Sequence, residues 1–556
     1  MRRSHQPVGL FLVALSTALI QAQAQAQTPP DAGALRQQIE RDRATPLPGK
    51  TAPEKLTAPP EPMRPTAGIV ITVRQFRLAG NTLLSSDQLM PVLSGYLNRP
   101  LDFAQLEAAA ADVANIYRSA GWLARVYLPK QDVTEGVITL QIVEAVYSGA
   151  SLDGEHPQRL KLPQVLNIFN AQQATGQPVN TNALDRALLL ADDLPGVAVA
   201  GNLVEGKKDG ETGIKLKLSD EALAAGDASV DNVGSRSTGS ERLSANLYLN
   251  SPLGLGDQFI GNLAHTEGSD YVRAAFTAPL GYDGWRVGAN AATLRYKIVS
   301  PEFAALNGQG SSDSLGLEAS YPVIRSRSRN LYFSLNYDHK NFHNESSATV
   351  QSDYISRNLS VGLSGNTFDE LGGGGVNSAS LALVAGSIAL GQLDTGENLE
   401  REGNFGKLRY SLSRQQAIGR ELSLYAVLSG QQADKTLDSS EKLSLGGSSG
   451  VRAYPSGEGS GSSGQLATLE LRQRLPQGFS AVVFYDWGSV SNSDGSPSYS
   501  LQGAGLGVNW QTPIGATVKA TWAQRLGDNP NPSATGTDQD GTLNRSRWWL
   551  TASIPF

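Results

Sequence analysis

The chain has 556 residues, a formal net charge of −6, 59 glycines and no cysteine. Disulfides, thiolate catalysis and cysteine-based metal sites are thereby excluded, and the acidic balance offers no electrostatic footprint for nucleic acid. The five histidines include no H-E-x-x-H motif of the kind that would hold a metal, so neither a metal nor another cofactor is expected.

Arg2, Arg3 and His5 precede an apolar run from Val8 to Ile20, followed by small residues at Ala22, Ala24 and Ala26. That order predicts a secretory signal peptide over residues 1–26, cleaved after Ala24 or Ala26. The run is too short for a membrane helix, and no later apolar run approaches the required ~20 residues. The sequence DAGALRQQIERDR predicts a short polar helix over 31–43. Seven prolines between residues 44 and 66 predict an extended tether that cannot pack a core.

From residue 68 the pattern becomes α+β. ITVRQFRLAGN alternates as a strand. Ser85 and Gln88 make a capping box for a helix whose apolar face is Leu89, Val92, Leu93, Tyr96 and Leu97, although Pro91 sits late for its first turn. A second helix starts at Asp102 with Gln105 three residues on. Leu106, Ala110, Val113 and Tyr117 line one side, and Gly121 ends it. The strands LARVYLPKQ and GVITLQIVEA complete the unit. The order repeats over 146–222, with the helix TNALDRALLLADDLPG as its longest element. Asp192 and Asp193 there read as solvated surface, since neighbours on a helix diverge by ~100°. Two tandem β-α-α-β-β units, 68–145 and 146–222, resemble polypeptide-transport-associated (POTRA) domains.

Over 226–556 the helical period vanishes. LSANLYLN sets Leu243, Ala245, Leu247 and Leu249 against Ser244, Asn246, Tyr248 and Asn250, and NLYFSLNYD alternates in the same way. Turns such as GLGD and GYDG are tight, whereas Val299 to Asp313 is long and polar. Segments of this length with short turns on one rim and long loops on the other predict an outer-membrane barrel of about 16 antiparallel strands. The final segment RSRWWLTASIPF carries Trp548, Leu550, Ala552 and Ile554 on one face and ends in Phe556. A terminal aromatic of this kind resembles the signal by which bacterial barrels are recognised for insertion, with Trp548 and Phe556 as its residues.

A Gly/Ser-rich run, GGSSGVRAYPSGEGSGSSG, lies between the predicted eleventh and twelfth strands and is the sixth surface-side loop, 441–464. In the thirteenth strand, AVVFYDWGSV, Val483, Tyr485 and Trp487 share one face and Val482, Phe484, Asp486 and Gly488 the other. The aromatic face suits lipid, so Asp486 points into the lumen, where a carboxylate seeks a cation. Arg452 is the expected partner, because a guanidinium can grip a carboxylate bidentately and orient a flexible loop. GGSSG fits the G-x-S-x-G expression of hydrolases but lacks the strand-turn-helix setting that gives the expression meaning.

Together these features resemble the outer-membrane transporters of two-partner secretion, the TpsB family within the BamA-like POTRA-barrel superfamily. Val451, Arg452, Ala453 and Tyr454 look like the family's VRGY-type loop motif, with Ala453 where glycine is usual. Phe484, Asp486 and Gly488 fall in its thirteenth-strand motif. The resemblance implies two periplasmic POTRA domains before a 16-stranded barrel, a lumenal loop with Arg452 bonded to Asp486, and a pore plugged by residues 31–43. It implies secretion of one exoprotein of the TpsA type, an adhesin or haemolysin, without ATP. The implied setting is the lipid of the outer membrane, reached through the barrel-assembly machinery. Arg125, Tyr127, Leu128, Val197 and Val199 mark the expected strand edges for binding unfolded substrate by β-augmentation. The alternatives are an insertase of the same superfamily, which more often carries three or five POTRA domains, and a passive porin or receptor, which has no use for periplasmic α+β domains.

Overall fold

The computed structural model describes residues 30–43, 70–347, 349–391, 401–492, 497–533 and 535–556. The predicted signal peptide, 1–26, and proline-rich tether, 44–66, lie outside the described residues. The first element is helix α1, Ala32–Asp42, capped by the Asp31 side chain, which accepts from Ala34 N at 2.9 Å.

The first α+β domain contains helices α2 (Ser86–Leu93) and α3 (Phe103–Ser119) packed on a three-stranded sheet. Val137–Glu144 is its central strand, parallel to Gln75–Ala79 and antiparallel to Ala124–Tyr127. The continuous strand read from ITVRQFRLAGN is broken. Ile71–Thr72 pairs with Pro100–Leu101, and the chain then switches to the main sheet at Gln75. Pro91 lies inside α2, where it can donate nothing to the preceding turn. The helix stops two residues later in a 3₁₀ turn, Ser94–Tyr96, so Tyr96 and Leu97 fall outside it. In α3 the capping box is complete: Asp102 accepts from Gln105 N at 2.8 Å, and Gln105 accepts from Asp102 N at 3.0 Å. Phe76, Leu89, Leu93, Leu106, Val113, Tyr117, Ile138 and Leu140 form the core. Glu144, ending the central strand, accepts from Thr82 N, Leu83 N and the Tyr117 hydroxyl, each at 2.8 Å. Partial burial pushes its carboxyl up, but these donors outweigh that and hold it below the usual range.

The second α+β domain repeats the order, with helices α4 (Leu162–Gln172) and α5 (Thr181–Asp192). Its central strand, Glu211–Asp220, is parallel to Val146–Leu152 and antiparallel to Val197–Glu205. A ring of main-chain bonds joins the two domains: Leu123 N to Val179 O at 3.2 Å, Val179 N to Ala145 O at 2.8 Å, and Ala145 N to Leu123 O at 2.9 Å.

Sixteen antiparallel strands then close into a barrel in sequential order. The first, Ala224–Asp231, begins two residues before the predicted boundary and pairs with the last, Ser546–Pro555. Gly226 and Phe556 exchange two main-chain bonds of 2.9 and 3.0 Å at this seam. A Cβ on Gly226 would come within 2.5 Å of the Phe556 ring, so the glycine gives the terminal aromatic its place. Alternate residues of each strand face outward as an exposed apolar belt, for example Leu315 and Leu317, or Leu359, Val361 and Leu363. Stacked aromatics edge the rim next to the α+β domains: Trp285 with Tyr321, and Phe479 with Trp510.

The loops correct one expectation. The far-rim connections do not all run long. Residues 267–268 form a tight turn, and the hairpin of Arg329–Ser346 with Thr349–Asp369 gains its reach from long strands. Within the segment read as the long loop Val299–Asp313, Pro301–Leu306 is a 3₁₀ helix and Gln309 already begins the next strand. Polar alternation continues past the membrane boundary, so strand and loop look alike in the sequence there.

Candidate functional site: the lumenal loop and its wall

The connection between the eleventh strand (Leu422–Ala433) and the twelfth (Ser463–Arg474) folds back into the barrel. It spans 434–462, starting earlier than the predicted 441, and it is ordered by specific contacts despite its Gly/Ser content. Leu443–Ser444 pairs with Ser460–Gly461 as a short ribbon. At its tip Val451 N donates to Leu445 O at 2.7 Å, and Tyr454 N to Val451 O at 3.1 Å. Gly447 (φ +105°) and Gly459 (φ +64°) sit in the left-handed region at the bends. Val451, Ala453 and Tyr454 are buried.

The tip presents Arg452 to the thirteenth strand (Phe479–Ser491). Arg452 Nε and Nη2 each donate to an Asp486 oxygen at 2.8 Å, and the Arg452 main-chain N donates to the same carboxylate at 3.1 Å. The guanidinium lies 3.4 Å over the Phe484 ring. Gly488, two residues further along the lumenal face, forms a notch: a Cβ there would sit 2.9 Å from Leu445 and 3.2 Å from Val451. Phe484, Asp486 and Gly488 therefore meet the loop as stack, ion pair and notch. Val483 and Tyr485 face outward, as read from the alternation.

Three partners had not been read from the sequence. Glu470 pairs with Arg452 Nη1 at 2.8 Å, Thr468 donates to Asp486 at 2.9 Å, and Trp549 Nε1 donates to Arg452 O at 2.7 Å. Register supplies the first two, because Thr468 lies opposite Asp486 and Glu470 opposite Phe484. Strand parity alone could have placed them in the lumen; the pairing needed the register. Trp549 comes from the last strand, and Trp548 beside it faces outward.

Ala453 fits because the wall gives way. It does not figure among the described non-glycine residues with positive φ, and its methyl occupies space left by Gly503, where a Cβ would lie 2.6 Å away. Tyr454 packs with Leu445, Val451 and Leu501. Its ring lies 4.4 Å beneath Arg525, which donates to Ala453 O at 3.3 Å and is ion-paired with Asp538.

Helix α1 lies in the same lumen. Ala32 and Leu35 pack among Leu294, Phe342, Tyr354 and Leu437. Arg36 donates to Ser312 and Ser314, and Asp42 pairs with Arg242 at 3.0 Å. Arg41 donates to Ser444 O at 2.8 Å and Gly446 O at 3.1 Å, joining the helix to the lumenal loop. A polar cavity of about 720 Å³ remains beside it, lined by residues including Ser244, Asn246, Asn262, Arg452, Lys519 and Thr521.

The substrate-edge candidates separate into two kinds. Arg125 and Tyr127 stand on an edge strand, with the Arg125 guanidinium 5.2 Å from the Tyr127 ring; Leu128 follows that strand and packs partly against the core. Val197 and Val199 stand on the second domain's edge strand with both side chains buried in the core, so this edge offers main chain. Asp192 and Asp193, read as solvated surface, are corrected. Asp192 is buried and accepts from Val199 N at 2.8 Å, and Asp193 binds Arg325 bidentately at 2.8 Å. Asp185 grips Arg327 at 2.6 Å, and Arg186 donates to Pro322 O at 2.9 Å. Helix α5 is thus bolted to the barrel's sixth strand and the turn after it. The double variant Arg325→Ala with Arg327→Ala is expected to insert normally while broadening the distances between spin labels on α5 and the barrel. An unchanged distribution would contradict the clamp.

Residues 210–510 match the family model of the haemolysin secretion/activation proteins ShlB/FhaC/HecB. The chain belongs to this family. Residues 71–145 match the ShlB-type POTRA domain. The haem/haemopexin transporter protein HuxB of Haemophilus influenzae (strain 86-028NP) is 27% identical over 527 residues, covering 90% of this chain and 92% of that one. The outer membrane transporter CdiB of Dickeya dadantii (strain 3937) is 26% identical over 475 residues, covering 82% and 81%. Among solved structures, CdiB from Escherichia coli superposes with a TM-score of 0.70 at 21% identity over 94% and 95% of the chains, which bears on the fold. BamA from Haemophilus ducreyi lacking POTRA domains 1–3 superposes at 0.53, with 15% identity over 87% and 100%. This member of the haemolysin secretion/activation family is an outer-membrane β-barrel transporter of two-partner secretion, with its POTRA domain in the periplasm.

Proposed function

We propose that this transporter takes up one unfolded exoprotein from the periplasm and passes it through the barrel lumen without ATP. The observation that carries this reading is the lumen itself, filled at rest by two removable parts, helix α1 and the loop bearing Arg452, each held by side-chain bonds and neither by a ladder strand. In this reading α1 is a resting plug, and the Arg452–Asp486 pair with its Glu470 and Phe484 supports sets the loop's position. The second α+β domain acts as a second POTRA domain, and the strand edges at Ala124–Tyr127 and Val197–Glu205 bind extended segments through their main chain. The sequence carries no P-loop, and folding of the product outside supplies the direction. Phe556 at the seam fits a role in recognition by the barrel-assembly machinery. A porin would need none of the lumen's bonded inserts, and an insertase has no use for a tethered lumenal helix.

The test is coexpression with a candidate exoprotein of the TpsA type. The exoprotein is expected in the medium with the transporter and in the periplasm without it. Equal amounts in the medium with and without the transporter would overturn the proposal.

A further inference from the structure

Among the attachments of the lumenal loop to the barrel, two lie on different strands and hold different parts of it. The tip is held by Arg452 on the twelfth and thirteenth strands. Its first limb is held elsewhere, through a 3₁₀ turn, Ser439–Glu441. Glu441 Oε2 pairs with Lys407 Nζ at 2.6 Å, and Glu441 Oε1 accepts from Asn358 Nδ2 at 2.6 Å. Its carbonyl accepts from Lys407 and Gln431, each at 2.8 Å. Asp438, which accepts from Ser440 N within the turn, pairs with Arg401 at 2.7 Å. Glu441, Lys407 and Asp438 are buried, so these are specific, largely desolvated contacts of the kind that fix a geometry.

What this limb carries is the N-terminus of α1. Ser439 donates to Asp31 at 2.6 Å. Gly33 lies so close that a Cβ would come within 2.8 Å of Ser440 Cβ and 2.9 Å of both Ser440 N and the Tyr354 hydroxyl. A helix glycine costs stability relative to alanine, and here it purchases close approach to this turn. Ala32 and Leu35 pack on Leu437 and its neighbours.

We infer that Glu441, through Lys407 and Asn358, is the positioning residue that holds the seat on which α1 closes the lumen. The Arg452 tip then serves the translocation route and the Glu441 limb seats the N-terminus of α1, while Arg41 ties the other end of the helix to Ser444 and Gly446. The inference rests on the reading of α1 as a plug.

The test uses the full chain in planar bilayers, with deletion of residues 31–43 as the reference for an open pore. Only barrels that pass a heat-modifiability gel check are compared. Glu441→Ala is expected to raise conductance several-fold toward the reference, and Glu441→Gln, which can keep the Asn358 contact, to raise it less. Lys407→Gln offers a second route should Glu441→Ala fold poorly. In parallel, Asp31→Cys with Ser439→Cys in this cysteine-free chain reads the seat directly. Its disulfide yield is expected to fall several-fold when Glu441→Ala is added. An open pore in the deletion, with wild-type conductance and cross-linking in the Glu441 and Lys407 variants, would overturn the seat while leaving the plug intact. Unchanged conductance in the deletion itself would overturn the plug, and the seat with it.

Discussion

Arg452→Ala is expected to insert as a folded barrel yet lose secretion by at least an order of magnitude. The substitution strips Asp486 of both guanidinium bonds and leaves it the Thr468 hydroxyl and one main-chain N–H, in a position where its side chain is 1% exposed. Removing one partner of a buried pair costs ~3–5 kcal/mol. Even the lower figure is a population change of more than ~10² in favour of a displaced loop. Glu470 keeps Arg472, at 2.7 Å, so the damage concentrates on Asp486 and on the stack over Phe484. The barrel strands bond to one another and not through the loop, so heat-modifiable mobility and surface protease resistance should match the parent. Arg452→Lys should recover only part of the activity, because an ammonium cannot hold both Asp486 oxygens in a planar fork while facing Glu470. Parent-level secretion by Arg452→Ala would refute a transport role for the loop anchor.

Deleting residues 31–43 is expected to raise single-channel conductance several-fold and to admit larger solutes. Helix α1 is 11 residues, or ~16 Å long, and reaches from Asn344, which accepts from Ala32 N, to Arg242, paired with Asp42. Its removal empties the volume now bounded by Leu294, Phe342 and Tyr354 and joins it to the polar cavity beside Arg43 and Asn262. It also frees Ser444 O and Gly446 O from Arg41, so the loop should become more mobile, seen as noisier open-state current. Conductance equal to that of the parent would show that the helix does not limit the pore.

The barrel was legible because its signal is a period of two sustained over many segments, and the thirteenth strand's face could be split correctly into Val483 and Tyr485 outward and Phe484 and Asp486 inward. The Arg452–Asp486 pair was legible for the same reason: parity put a lone carboxylate in the lumen, and one loop offered a cation. Glu470 and Trp549 were not, since they depend on register between strands and on closure of the first strand onto the last. The second limb's anchor escaped as well. Glu441, Lys407 and Asn358 lie far apart in the chain and carry no motif, and only the barrel's curvature brings them together. The burial of Val197 and Val199 was not legible, because an edge strand that is open along its main chain can still bury alternate side chains. Asp193 reads as surface because its partner, Arg325, stands at the end of a barrel strand more than a hundred residues later.

Site-specific photo-cross-linking to an arrested exoprotein tests the central claim most directly, because it asks where the chain travels. A photoreactive residue replacing Ser244 or Thr521, which line the cavity, should capture the exoprotein during secretion, and one replacing the outward-facing Leu243 should not. Capture at Ser244 and Thr521 that disappears in Arg452→Ala is the predicted result. Secretion that proceeds with no lumenal capture, or with capture at Leu243 alone, would contradict passage through the barrel.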